Sequence, residues 1–225
     1  MYMCFSATAS FIAGAGLSTM GVATLRNTKE KSDMPFAAIP LLFGIQQAIE
    51  GLVWITFSYH APLIHALASY GFAFFAYAFW PMFIPFAVKH LEKEVRRKKI
   101  LSVLQIIGLV VGTYITYYMV SSGVTSTVTH ESIKYHINQP FGNYAFVLYI
   151  IAGCGSFFVS SKRNVNFFGL LLVLSLMMTY VFFSSYVVST WCFFAAILST
   201  IIFIQSSKLM PKVPLGAPRS LEHRL

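Results

Sequence analysis

Glu50 is the only acidic or basic side chain well inside an apolar stretch of this chain. It stands in FGIQQAIEGLVW, Phe43 to Trp54, where Gln46, Glu50 and Trp54 recur every four residues and so share one face of a helix, with Gln47 at its border. A carboxyl group beside two carboxamides can coordinate a cation, hold a small polar ligand or pass a proton. A charge at a bilayer centre costs about 2.5–3.5 kcal/mol on insertion scales, so such a residue is rarely idle. Two readings stay open: a polar site facing a bundle interior, or a carboxylic acid acting as hydrogen-bonded glue between helices.

Other groups could join it or act alone. Counting depth along each apolar stretch puts Ser10, Tyr70, Tyr114, Tyr149, Thr179 and Tyr180 in the same layer as Glu50. Their hydroxyls could bind a carboxylate or a polar ligand. Outer tyrosines could equally form the aromatic belt of a membrane interface, as Trp54, Tyr117 and Tyr118 are expected to do. Ser6, Ser10, Gly14 and Ser18 repeat at four-residue spacing, a stripe that lets helix backbones approach closely. Ser6 and Ser10 could also border the Glu50 site. His60, His65, His130 and His136 gather at one side of the chain's topology, with Glu131 beside His130. Such a set suits a divalent metal, although HESIKYH is not the HExxH of a metalloprotease. Surface loop histidines are the plainer alternative. Cys4 and Cys192 are expected near the same face, where they could pair if their helices are neighbours, or remain free thiols. Cys154 lies deeper and is expected to pack.

The elements that must position these groups are transmembrane helices. Only 10% of the 225 residues are charged, against about 25% in a soluble domain, and mean hydropathy is +0.70. A bilayer core needs about 20 apolar residues per crossing. Seven stretches qualify: 5–25, 35–57, 63–88, 100–120, 143–161, 165–185 and 188–207. The last two form one run, folded back here near Ser184–Ser189 on length alone. The fold class is therefore all-α, a seven-helix membrane bundle over 1–207, with a Pro-rich basic tail, 208–225, expected to be disordered. Residues 121–142 read as a loop. Pro81 and Pro85 in FWPMFIP predict a kink near Pro81.

Fifteen of the sixteen basic residues fall in alternate loops and the tail, and only Lys134 falls on the other side. The positive-inside rule then places the N-terminus outside and the C-terminus inside, with Glu50 about 6 Å to the outer side of the middle. The formal charge of +9 is explained by these loops rather than by nucleic acid, for which no motif exists. Basic residues follow the first apolar stretch and none precede it, the reverse of a secretory signal, so a retained helix is expected. No internal repeat supports an inverted-repeat carrier.

Two motifs, MCFSATAS and PLLFGIQQAIEGLVW, resemble those of a bacterial multi-span family known only as a domain of unknown function. The matching positions are Cys4, Phe5, Ser6, Ala7, Pro40, Gln47, Glu50 and Trp54. The resemblance covers the first quarter of the chain. It implies a bacterial inner membrane and a single site shared by the Cys-Phe-Ser segment and Glu50. It also implies a start at Met3. Removal of that Met would leave Cys4 with a free amine beside its thiol, a metal ligand or nucleophile, though Met1–Tyr2 precede it here.

The leading functional reading is a membrane protein that binds or transports a small polar or cationic ligand in an outward-facing pocket centred on Glu50, lined by Gln46, Gln47, Ser6, Ser10, Tyr70 and Tyr180. The second is a membrane-embedded hydrolase or metalloenzyme acting on a lipid-like substrate, with Glu50 as acid or base or a metal on the outer histidines. It lacks a second carboxylate or histidine inside the spans. The third is a structural or assembly subunit.

Overall fold

A computed structural model describes residues 6–59, 61–129, 132–182 and 187–208. Among them are seven helices long and apolar enough to cross a membrane, the mark of an integral membrane protein. These are α1 (Ala7–Asn27), α2 (Lys31–Ser58), α3 (Pro62–Leu91), α4 (Val95–Ser122), α5 (Gly142–Val159), α6 (Arg163–Phe182) and α7 (Val187–Lys208). Each matches an expected span to within a few residues, except that α2, α3 and α4 start or end up to five residues further out. The α6–α7 break falls at 183–186, outside the described residues, and α7 starts at Val187. Ser189, expected at the turn, is therefore a helical residue. All of the tail beyond Lys208 lies outside the described residues.

Successive helices are neighbours, and α7 returns to α1, so the bundle closes on itself; α7 also touches α2, and α3 touches α5. α2 and α3 are the most buried helices. The stripe on α1 does what small residues allow: a side chain on Gly44 of α2 would meet Ser18 Oγ at 2.5 Å, so α1 and α2 lie backbone to backbone. Gly108 of α4 does the same against α3, where a Cβ would overlap the Pro81 carbonyl oxygen.

The irregularity expected at Pro81 sits one turn upstream. Residues Phe74–Phe79 of α3 form a π-helical turn immediately before Trp80–Pro81. Pro81 has no N–H to donate back into that turn, so carbonyls near it need other partners. Tyr149 of α5 supplies one, donating its hydroxyl to the Ala76 carbonyl at 3.0 Å.

The region read as a loop contains an antiparallel hairpin, β1 (Val124–Thr129) and β2 (Ser132–Ile137), paired from Val124↔Ile137 to Thr129↔Ser132. Its Val, Thr, Ile and Tyr content suits a pleated ribbon. Side chains alternate faces: Ile133, Tyr135 and Ile137 are buried, whereas Lys134 and His136 are exposed. Gly123, with φ +81°, makes the exit from α4 that a residue with a Cβ would resist. β1 rests on α3 and β2 on α7 and α4, so the hairpin roofs one end of the bundle.

The opposite, basic end is tied by polar contacts between loops. Glu92 accepts hydrogen bonds from the Ser161 N–H (2.7 Å) and hydroxyl (2.8 Å) and from the Lys93 and Glu94 N–H groups (3.0 and 3.3 Å). Arg97 donates to the Val159 carbonyl, and Lys162 pairs with Asp33 at 3.6 Å.

Candidate functional site

Glu50 lies on α2 facing α7 and is only 3% exposed. Ser189 of α7 donates to its Oε1 at 2.5 Å, and Gln47 Nε2 donates to its Oε2 at 3.3 Å. Gln46, one turn before Glu50, accepts from the Trp80 indole N–H at 2.7 Å, and Trp80 in turn stacks on Phe43 with ring centroids 4.0 Å apart. α2 brings the three polar residues to one place because they fall within little more than one turn. Trp80 reaches them because the π turn precedes it in α3.

The cluster is buried but incompletely paired. Gln46 Nε2, Gln47 Oε1 and the Tyr135 hydroxyl are all buried without a hydrogen-bond partner. Cys192 lies close to Gln46 Nε2 without completing a bond of good geometry. Tyr135 comes down from β2, stacked on Phe72 with centroids 4.5 Å apart, and Tyr77 donates to its carbonyl at 3.3 Å. Burial holds the Tyr135 phenol well above the usual tyrosine range, and the nearby Glu50 carboxylate adds to this. The hairpin thus brings a phenol into the neighbourhood of the buried Glu50 carboxyl without bonding to it. An unpaired buried polar atom costs about 1–3 kcal/mol, so three around one carboxyl make an expensive arrangement for packing alone.

A cavity of about 40 Å³ shares Trp80 and Cys192 with this cluster, with Ile39, Phe43, Tyr149 and Trp191 among its other walls. That exceeds the roughly 10–15 Å³ a single water occupies on the same measure, but the walls are apolar. Glu50, Gln46 and Gln47 do not line it. The polar cluster and the cavity are adjacent compartments, and the cluster is closed rather than open to one side.

None of the other expected site residues described hydrogen-bonds to Glu50, Gln46 or Gln47. Ser6 caps α1, accepting from the Ala9 N–H at 3.2 Å. Ser10 is buried on α1. Tyr70 is half-buried with its hydroxyl against Gly123. Tyr180 is 64% exposed, on the side of α6 turned away from the bundle, because the buried face of that turn carries Thr179. Tyr114 donates to the Pro140 carbonyl, and Thr179 to its own helix at Ser175. In this layer the hydroxyl that reaches Glu50 is Ser189 instead. The rotation of each helix, which decides these contacts, was not readable from sequence.

The histidine set does not assemble among the described residues. His65 uses both ring nitrogens, with Thr56 Oγ1 and Ser126 Oγ each at 2.9 Å, beneath the hairpin. His136 is exposed on the hairpin's opposite face, as strand alternation requires. His60 and His130 lie outside the described residues, as do Cys4 and Phe5. Among the described residues no three His, Cys, Asp or Glu side chains come together as a metal site. The Cys192 and Cys154 thiols are free and buried.

A family model spans residues 3–215, nearly the whole chain. The chain belongs to this family of unknown function, DUF6629. The match to the family carries no activity, so function has to come from the site. No curated protein and no solved structure matches the chain. Four members of the cluster, Trp80, Tyr135, Ser189 and Cys192, come from three elements remote in sequence from the QQAIE stretch. A signal existed for one of them: Trp80 precedes the proline that distorts α3.

Proposed function

We propose that this DUF6629 protein binds a small cationic ligand bearing N–H donors, such as a protonated primary amine, in a closed site made by Glu50, Gln46, Gln47 and the Tyr135 hydroxyl. The observation that carries the reading is the set of unpaired buried polar atoms around a buried carboxyl. Glu50 supplies charge, Gln47 Oε1 accepts a hydrogen bond, and Gln46 Nε2 and Tyr135 orient the ligand's remaining polar edge. Access requires the hairpin to lift, which makes β1–β2 a gate and fits either a transporter or a receptor. On the positive-inside rule the hairpin end faces outside and the basic end faces the cytoplasm. The membrane proposed is a bacterial inner membrane.

A thermal-shift series in detergent tests this reading, using alkylammonium chlorides against sodium, potassium and divalent chlorides. A ligand at 100 times its Kd stabilises by about 2.7 kcal/mol, or about 5–10 °C for a chain of this size. Glu50→Gln should abolish the shift. A shift of equal size in the variant would remove Glu50 from the site.

One observation favours a second, structural reading. The Ser189–Glu50–Gln47 bonds tie α2 to α7. On this reading no salt stabilises the wild type, and Glu50→Gln lowers only the folding yield.

A further inference from the structure

A second constellation lies under the hairpin, apart from the Glu50 cluster, and its hydrogen bonds assign their own direction. Thr56 Oγ1 has one proton and gives it to the Val53 carbonyl at 2.7 Å. It must therefore accept in its 2.9 Å contact with His65, which places the imidazole proton on Nδ1. Nε2 of the neutral ring is then an acceptor, so the Ser126 hydroxyl donates to it at 2.9 Å. With its proton committed, Ser126 accepts from the Ser69 hydroxyl at 2.8 Å. The result is a hydroxyl donating to an imidazole whose other nitrogen is held by a third side chain. This is the geometry that activates a serine nucleophile.

The scaffold keeps these groups in place. Thr56 and Ser69 are buried on α2 and α3, and β1 fixes Ser126 opposite Tyr135, whose ring is stacked on Phe72. Phe57 packs edge-on against the His65 ring. Ser126 and His65 themselves are only half-buried and so can be reached. Around them the ends of α2 and α3 expose large apolar side chains: Tyr59 is 69%, Leu63 71% and Leu67 65% exposed. An amphiphile lying along these residues would bring a carbonyl near its polar end level with Ser126.

We propose that Ser126, His65 and Thr56 form an acyl-transfer site for carboxylic esters of amphiphiles, with Ser126 as nucleophile, His65 as general base and Thr56 as positioning residue. Ser126 Oγ bonds to the acyl carbon while its proton passes to His65 Nε2. Collapse of the tetrahedral adduct breaks the ester C–O bond, and His65 returns the proton to the departing alkoxide, releasing an alcohol. Water then adds to the acyl-serine, gives its proton to His65, and the carboxylic acid leaves as the Ser126 hydroxyl is restored.

The test uses the full chain in detergent micelles, an alkyl fluorophosphonate probe and peptide mass spectrometry. Labelling is expected at Ser126, absent in Ser126→Ala and slowed about 100-fold or more in His65→Ala, the usual scale of general-base assistance. Thr56→Val should slow labelling about tenfold and shift its pH profile, and Thr56→Ser should restore both. Because His65→Ala could instead free the hairpin, Ser126→Cys gives an independent readout. Its alkylation by iodoacetamide should begin well below the ordinary thiol pKa of about 8.5, and His65→Ala should remove that advantage. Wild-type protein that remains unlabelled at Ser126, or a Ser126→Cys thiol titrating as an ordinary cysteine, overturns the assignment.

Discussion

Two glutamates are almost equally buried, Glu50 at 3% and Glu92 at 2% exposure, yet their surroundings are opposite. Glu92 takes four hydrogen bonds, three of them from backbone N–H groups, and joins the α3–α4 loop to the α5–α6 loop at the basic end. Burial alone would push its carboxyl up, but the bonds from Ser161, Lys93 and Glu94 outweigh that and hold it below the usual carboxylate range. Glu50 takes two bonds, both from side chains, and is ringed by polar atoms that have none. A carboxylate that serves the fold is satisfied by the backbone that it organises. On the binding reading proposed above, one surrounded by unpaired donors and acceptors waits for something that arrives from outside.

Substitutions can break this contrast. The largest effect is expected from Glu92→Ala, which strands several N–H groups at once. Charge-assisted bonds are worth ~1.5–3 kcal/mol each, and with water replacing some of them the loss should be about 3 kcal/mol. Thermal unfolding in detergent should then fall by about 6–12 °C, with any ligand response at Glu50 intact. An unchanged midpoint would show that Glu92 is not the clamp described here.

Acid should reproduce part of that loss. The folded pKa of Glu92 lies below its ordinary 4.5, so its contribution is complete above that value and disappears as pH falls through the folded one. The unfolding midpoint of the wild type should drop across that window, and that of Glu92→Gln should drop less. Parallel curves would contradict the assignment.

Glu50→Gln is expected to cost much less, about 1 kcal/mol, since an amide oxygen can still accept from Ser189. The smallest effect is expected from Tyr135→Phe. Removing an unpaired hydroxyl should leave stability unchanged or raise it by up to about 1 kcal/mol, while ligand affinity falls. A Tyr135→Phe protein clearly less stable than wild type would mean that the hydroxyl is already paired.

The seven crossings were legible because length and hydropathy define a membrane helix almost by themselves, and Glu50 because nothing else like it occurs inside a span. Its partners were not. Ser189 was hidden by an uncertain turn in a continuous apolar run, and by the unknown rotation of α7. Tyr135 was hidden because it lies between spans, where a loop is the default reading, although β-branched residues in VTSTVT and alternating polarity in SIKYHI mark the two as strands. The hairpin also divides the histidines, with His65 beneath its sheet and His136 exposed on the other side. Pro81 announced a distortion, but only the structure moves it upstream into the π turn that sets Trp80 against Gln46.

Native mass spectrometry of the detergent-purified protein tests the central claim most directly, with wild type and Glu50→Gln each titrated with methylammonium and ethylammonium chloride. One ammonium adduct per chain, saturating in the wild type and absent from an equally folded Glu50→Gln, is the expected result. Wild-type and variant spectra that match at every concentration would contradict it and leave Glu50 as a tie between α2 and α7.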